Sequence, residues 1–522
     1  MSTPHDVPVT PAPGAAWRRP NPFGDVPARD YATDAVALVL LCVSLGLAWS
    51  FHDRAWQRVD VVLVSAVSVA SLAVTYVVRA RGGSLRTALR VRAWLGLPYA
   101  VCVLASAAVD AVGAFALRIT GPTLPGGLGP AVAVGLAGAA LAAAPRAAES
   151  ADAALAGAAR RLARSILGGL LAGVVVLQAL TLGALASGIV RFLDRVGAQT
   201  WVGLTADAVL VLLVTALAGG PLLATLRGSA PWRWVLVAIA ATTTALTLTD
   251  GFPVATMLPD GSGGPGLVLV PAAGAVALGA AVSATLRRVE PPVRAWCEVA
   301  RAAWVAIAVA AGALVVIHLL GLIHLLHTVQ QLGGDLHPGR VTGRIALVVA
   351  LDAVIVVLAL AASVVVGRRG LDARPVGLWL TAAAVVVGTA IIATRGWARP
   401  GLTDTIVAYG LPILAVLALT VPDAVRESAR LPRGSATYGP GVGADGPATG
   451  AHDGAGAADH GFTTAQAADP ATDLAVLAAI VERAPELRPL VAANPSAYPD
   501  LLAWLAQLHD PDVDAALASR PS

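Results

Sequence analysis

Long apolar runs separated by short polar segments are the feature that most constrains this chain. Runs of about 18 or more apolar residues recur before residue 434, and each is long enough to cross a bilayer as an α-helix. Apolar and polar residues do not alternate within them, as the strands of a membrane β-barrel would require. Charged residues make up only 13% of the 522 residues, against roughly 25% in soluble domains. We therefore predict an all-α, polytopic transmembrane helical bundle.

The apolar runs predict about twelve spans, and the arginines predict their orientation. The approximate bounds of the spans are 35–51, 60–78, 94–117, 127–144, 166–189, 204–226, 233–249, 266–286, 302–326, 345–366, 376–394 and 405–421. Twelve spans place both termini on one side. If that side is the cytoplasm, the cytoplasmic segments before residue 434 hold 24 arginines and the opposite side holds nine. Because arginine is enriched in cytoplasmic loops, we predict a multi-pass plasma-membrane protein with both termini cytoplasmic.

Tryptophans and charged residues recur at matching places in the runs. The matching positions are Asp207, Trp234 and Asp250 in one set and Asp352, Trp379 and Arg395 in the next, at a constant offset of 145 residues. A further set that begins at Asp60 fits with small gaps. We interpret these sets as three four-helix repeats, at about 31–150, 160–290 and 300–425. The alternative is that Trp and Asp only mark helix ends, as they do in many membrane proteins.

Ionisable residues inside the predicted spans are the candidate site of the bundle. They are Asp110, Asp207, Asp352 and His318. A charged residue at the centre of a membrane helix costs about 2.5–3.5 kcal/mol, and such residues often mark ion or substrate paths. One hypothesis is a proton- or cation-coupled site that uses these side chains. The alternative is that they anchor helix ends or form hydrogen bonds between helices.

Cofactor and catalytic motifs are missing from the sequence. His318, His324 and His327 lie on or beside one span, but their spacing matches no metal motif, so we expect neither a metal nor another cofactor. The sequence has no phosphate loop, nucleophile elbow, HExxH or kinase signature. We therefore expect that the protein is not an enzyme.

Composition divides the chain into four parts. Residues 1–33 form a Pro-rich tail that we expect to be disordered and cytoplasmic, and residues 34–425 form the transmembrane bundle. Residues 434–472 are rich in Gly, Ala and Asp and should be a flexible linker, since they have too few large apolar residues to bury a core. Residues 473–522 read as short amphipathic helices separated by prolines, which predicts a small soluble helical domain in the cytoplasm.

The C-terminal residues also carry a family resemblance. The stretches PELRPLVAANPSAYPDLLAWLA (485–506) and DPDVDAALASR (510–520) resemble the variant leucine-rich-repeat domain of actinobacterial proteins. The resemblance implies a helical module for protein–protein contact without catalytic residues. We expect Trp504 at the centre of its core, and Leu487, Tyr498 and Trp504 are the candidate partner-binding residues. The preceding bundle looks like an uncharacterised actinobacterial polytopic membrane family.

The net charge of the C-terminal tail limits the classes of partner that it can bind. From residue 434 onward the chain holds eleven Asp and Glu against three Arg, a net charge of about −8. Such a tail is not attracted to an anionic bilayer surface and is a poor ligand for nucleic acid. We therefore predict that the bundle contacts lipid and that the module recruits a cytoplasmic protein, with the oligomeric state left open. The alternatives are a module that only caps the bundle, and a secondary transporter or flippase.

Overall fold

The computed structural model describes most of the chain. It describes residues 26–116, 126–146, 149, 153–192, 198–249, 254–255, 257, 264–285, 293–331, 338–395, 401–422, 425–426, 462–469 and 472–519. Over these residues the chain is all-α, as predicted, with two isolated β-bridges. It divides into two compact units, Met1–Ala436 and Thr437–Ser522.

The larger unit is built from helices whose order follows the predicted spans. They are α1 (Ala28–Gly46), α2 (Val59–Ala80), α3 (Leu85–Ala116), α4 (Pro130–Ala143), α5 (Ala153–Phe192), α6 (Ala198–Leu226), α7 (Ala230–Leu248), α8 (Val270–Thr285), α9 (Val293–Gln331), α10 (Pro338–Arg369), α11 (Arg374–Arg395), α12 (Leu402–Thr405) and α13 (Leu411–Thr420). A 3₁₀ turn, Pro265–Leu269, leads into α8, and a π turn, Ile406–Gly410, joins α12 to α13.

Every predicted span overlaps one of these helical segments. Seven segments in the described part of the chain are long and apolar enough to cross a membrane; one of them, Val341–Arg395, contains parts of both α10 and α11. The total of about twelve spans stays a prediction. At the N-terminus, α1 begins at Ala28, inside the predicted tail, while residues 1–25 lie outside the described part.

The helices pack in three groups that coincide with the interpreted repeats. The first group is α1–α4, the second is α5–α8 and the third is α9–α13. In each group the first helix packs against the second and the last, and the third helix packs against the same two. The groups meet where α4 packs on α8, and where α9 packs on α6 and α7. A shared packing order is what a repeated unit would give.

The last helix of the first two groups lies in the protein interior. All 14 residues of α4 are buried, and so is the entry to α8, Pro265–Leu269. At 1.5 Å per residue α4 is about 21 Å long, shorter than the ~30 Å hydrocarbon core of a bilayer. Its Ala- and Gly-rich sequence lets neighbouring helices approach closely on every side.

The smaller unit has a core of its own. Its helices are α14 (Thr464–Ala468), α15 (Leu474–Arg483), α16 (Arg488–Ala493), α17 (Pro499–Ala506) and α18 (Pro511–Ala518). Leu477, Ile480 and Val491 on α15 and α16 pack with Leu505 and Val513 on α17 and α18, and all five are buried.

Two details of the smaller unit differ from expectation. The amide of Asn494 donates to the backbone oxygen of Ala467, a buried residue of α14, so the module begins before the predicted boundary at residue 473. The expectation that Trp504 centres the core is wrong, because 42% of its surface is exposed. Leu505, the next residue on α17, takes the interior position because a helix turns adjacent residues about 100° apart.

Close helix contact gives a test of the α7–α8 packing. A Cβ at Gly274 would overlap the Cβ of Ala240, whereas a Cβ at Gly169 on α5 would meet nothing within 4 Å. We expect Gly274→Ala to destabilise the protein by about 1–3 kcal/mol through overpacking, and Gly169→Ala to leave it unchanged or slightly stabilised. Thermal unfolding of both variants in detergent measures this, and equal midpoints would contradict the packing.

Candidate functional site

His318 and Asp352, two of the candidate residues, contact each other in the third group. His318 Nδ1 lies 2.7 Å from Asp352 Oδ2, which joins α9 to α10. The Asp352 side chain is 1% exposed and that of His318 is 13% exposed. A carboxylate so deeply buried needs a hydrogen-bond partner, and the imidazole supplies it.

Asp404 completes this site, and the sequence analysis missed it. It lies on α12, and its Oδ2 accepts a 2.5 Å hydrogen bond from Nη1 of Arg395 on α11. The side chain is 4% exposed and lies within electrostatic range of both His318 and Asp352. We call these four residues, drawn from four helices, the acidic cluster. Among the described residues no partner contacts Asp404 Oδ1, although this oxygen is buried.

The backbone beside the acidic cluster is irregular. The π turn Ile406–Gly410 follows α12 directly, and π turns are frequent at functional sites. Within it, the Tyr409 hydroxyl lies 3.1 Å from that of Thr389 on α11. The irregular turn therefore packs on α11, the helix whose Arg395 also binds Asp404.

Asp110 belongs to the first group, and its carboxylate accepts hydrogen bonds from backbone N–H groups. Its Oδ1 accepts from the N–H of Gly127 at 2.8 Å, and its Oδ2 accepts from the N–H of Met257 at 2.9 Å. The same two segments are joined by paired hydrogen bonds between Leu128 and Ala255. Asp110 therefore pins the segments that lead into α4 and α8, which fits the anchoring alternative.

Asp207 and Asp60 are separate from the acidic cluster. Asp207 lies half-buried on α6 in the second group. Asp60, at the corresponding place on α2, pairs with Arg58 at 2.5 Å, and its side chain is 53% exposed. The hydrogen bond from Arg58 to Asp60 raises the pKa of the Arg58 guanidinium, so that group stays charged. The candidate aspartates of the first and third groups, Asp110 and Asp352, thus have different partners.

Gln178 was not among the candidate residues. In the second group its side chain binds the backbone at the entry to the last helix, as Asp110 does in the first group. Its Oε1 accepts from the N–H of Gly266 at 3.2 Å, at the turn that leads into α8. Its Nε2 donates to the backbone oxygen of Val211 on α6 at 3.1 Å. An uncharged side chain in an apolar run gives little signal in a sequence.

A buried ion-pair network at the other end of α4 was also missed. Arg92 pairs with Glu149 at 2.9 Å, and both side chains are at most 1% exposed. Arg146 pairs with Asp34, which also accepts a hydrogen bond from the Tyr76 hydroxyl at 2.6 Å. Both guanidinium groups also donate to carbonyl oxygens of α4 or of Ala144, just after it. These arginines therefore cap the C-terminal end of α4, where the helix dipole favours cations.

Metal ligands do not cluster in the part of the chain that the structure describes. No group of three or more His, Cys, Asp or Glu there could hold a metal ion. His337 and Asp335, which follow His327 in the next loop of the sequence and could add a third ligand, lie outside the described residues.

The three candidate residues of the C-terminal module differ in exposure. Leu487 is 7% exposed and belongs to the core, and Tyr498 is half-buried against it. Trp504 is exposed, and the guanidinium of Arg488 lies 5.8 Å from its ring centroid, a cation–π contact. Of the three, only Trp504 presents a large apolar side chain to the surface.

The chain is thus an all-α protein with membrane-length apolar helices and a compact helical unit at its C-terminus. It belongs to the family described as a domain of unknown function, DUF7937, which matches residues 30–428. The Leucine Rich Repeat Variant domain matches residues 461–521 and confirms the predicted module. No curated protein and no solved structure gave a match.

The role of Asp110 can be tested by its removal. We expect Asp110→Ala to destabilise the protein by about 1–3 kcal/mol for each of the two N–H groups that lose their acceptor. Asp60→Ala is the control, since an exposed pair contributes only about 0–1 kcal/mol. Thermal unfolding in detergent measures both. If the two variants unfold at the same temperature, Asp110 does not pin the two segments.

Proposed function

We propose that this protein is a non-enzymatic, multi-pass protein of the plasma membrane that recruits a partner protein through its C-terminal module. Both termini face the cytoplasm. The match of residues 461–521 to the Leucine Rich Repeat Variant domain carries the proposal, because this resemblance implies a module for protein–protein contact. The compact core of the module supports it, since a folded surface is already organised for binding.

Trp504 and Arg488 are the centre of the proposed binding surface. Exposed Trp and Arg dominate the binding energy of many protein interfaces, and here the guanidinium lies over the ring. Acidic side chains occupy the first turns of the neighbouring helices: Asp500 on α17, and Asp512 and Asp514 on α18. The partner is therefore a protein whose contact surface is apolar at the centre and basic at its rim.

Partner capture tests this proposal. The tagged full-length protein, a chain that ends after Arg433, and full-length Trp504→Ala are solubilised and compared by quantitative mass spectrometry of retained proteins. The matched control is Gln507→Ala, which also changes an exposed residue beside α17. We expect the shortened chain to lose the partner and Trp504→Ala to retain roughly tenfold less of it. If all four proteins retain the same partners in equal amounts, the proposal is wrong.

A second candidate function, proton- or cation-coupled transport, rests on the acidic cluster. In this cluster two buried carboxylates, Asp352 and Asp404, share one guanidinium, that of Arg395, and one imidazole, that of His318. Uncompensated charge is costly there, so a proton or a monovalent cation would be bound. The buried Oδ1 of Asp404, free of partners among the described residues, is the acceptor for it.

Flux measurements test this second candidate. Protein in liposomes that enclose a pH-sensitive dye is exposed to a pH gradient, with a potassium ionophore to balance charge. If the cluster carries protons, Asp404→Asn and Asp352→Asn each reduce uptake roughly tenfold or more, because each removes one of the two carboxylates on which the proposed path depends. Asp60→Asn, an exposed carboxylate, leaves uptake unchanged. Equal uptake by all variants, or none by the unaltered protein, excludes proton coupling.

A further inference from the structure

A cavity of about 330 Å³ lies between α3 and α5 and is lined by arginines and apolar side chains. Arg86 and Arg90 come from α3, and Arg161 comes from α5. Trp94 and Leu162 also line it. Arg86, Arg90 and Trp94 are four residues apart in turn, so they form one stripe along α3.

The three arginines of this cavity have no anionic partner among the residues that the structure describes. No acidic residue lines the cavity, and Arg86, Arg90 and Arg161 form no ion pair there. All three are exposed, in contrast to Arg92 and Arg146, which are buried and paired. The cavity therefore concentrates positive charge that no side chain in the described part of the chain neutralises.

The corresponding place between the second and third groups is closed by aromatic rings. There the third helix of one group, α7, meets the first helix of the next, α9. Trp234 packs on Trp296 with ring centroids 5.8 Å apart. Trp94 occupies the matching place on α3 but is 71% exposed. The open cavity is thus a local departure from the packing of an equivalent helix pair.

An apolar track continues from the cavity along α3. Leu97, Val101 and Leu104 follow Trp94 at helical spacing, and 48%, 62% and 64% of their surfaces are exposed. They lie in a segment apolar enough to cross a membrane. Tryptophan favours the level of the lipid headgroups, and arginine at that level binds phosphate through paired N–H donors. The cationic cavity and the apolar track together have the shape and chemistry of a phospholipid.

We propose that this cavity binds one anionic glycerophospholipid, with its phosphate held by Arg86, Arg90 and Arg161 and an acyl chain along Leu97, Val101 and Leu104. Trp94 lies between the two parts, at the level of the glycerol. The apolar track selects a lipid over free phosphate. This site uses none of the residues of the C-terminal module or of the acidic cluster. The lipid proposal is therefore tested independently of both proposed functions.

Lipid titration of the delipidated full-length protein, followed by native mass spectrometry, tests the site. The probes are phosphatidylglycerol, phosphatidylcholine and inorganic phosphate. We expect one molecule of phosphatidylglycerol to bind in preference to phosphatidylcholine. The triple variant Arg86→Gln, Arg90→Gln, Arg161→Gln should bind it roughly a hundredfold more weakly. The loss of each basic residue near a membrane surface weakens binding about fivefold, and the three losses multiply.

A second triple variant is the control. Arg227→Gln, Arg368→Gln and Arg369→Gln remove the same charge from exposed positions elsewhere, and this protein should bind phosphatidylglycerol like the unaltered one. Equal weakening in both triple variants would overturn the proposal in favour of general charge attraction. Displacement of the lipid by an equal concentration of inorganic phosphate would overturn it in favour of a free-anion site. If the first triple variant does not fold, Arg86→Gln and Arg161→Gln alone should each weaken binding about fivefold.

Discussion

The ends of the short, buried helices impose the constraint on which the rest of the larger unit depends. A helix leaves unpaired N–H groups at its start and unpaired carbonyls at its end, and water normally satisfies them. The helix α4 begins and ends among other helices, so the protein itself must supply the partners. Asp110 holds the segment at its entry, and Arg92 and Arg146 hold the carbonyls at its exit. Four buried ionisable side chains of the first group, Arg92, Asp110, Arg146 and Glu149, follow from this requirement.

The three groups meet the same requirement with different chemistry. The entry to the last helix is held by a carboxylate in the first group and by an amide, Gln178, in the second. In both, the polar side chain accepts directly from backbone N–H. In the third group Arg395 instead holds a carboxylate, Asp404, that belongs to the entering helix. One carboxyl oxygen, Asp404 Oδ1, is then left in the interior without a hydrogen-bond partner among the described residues, and the proposed cation site rests on this oxygen.

Periodicity and length were enough to predict the helices, because long apolar runs have few other stable forms in a bilayer. They also drew attention to Asp352 and His318, since charge inside such a run is costly. They could not separate Asp110 from Asp352, because both are single aspartates in apolar helices and only their partners differ. Asp404 was missed because it lies in the first turn of its helix, where a carboxylate reads as an ordinary end residue.

Surface and interior positions were harder to assign within an element. Trp504 and Leu505 are adjacent apolar residues on α17, and the sequence favoured the larger ring for the core. The fold buries Leu505 and leaves the ring under Arg488. Arg92 was counted with the loop arginines because it lies near the start of a long helix. Its partner Glu149 lies 57 residues away in the sequence, and local sequence patterns cannot predict a pair so far apart.

The arginines of the larger unit therefore do three different things, and this bears on the proposed orientation. Some cap helix carbonyls, some pair with carboxylates, and some face the surface without a partner. Only the last kind responds freely to the membrane environment, so the count that set the orientation should survive removal of the others. Among the described residues, Arg92, Arg146, Arg301 and Arg426 have a partner on the cytoplasmic side, and Arg58, Arg344 and Arg395 have one on the opposite side. Without them 20 of 24 and six of nine arginines remain. The excess on the proposed cytoplasmic side is therefore kept when the arginines with a described partner are left out, which supports the proposed orientation.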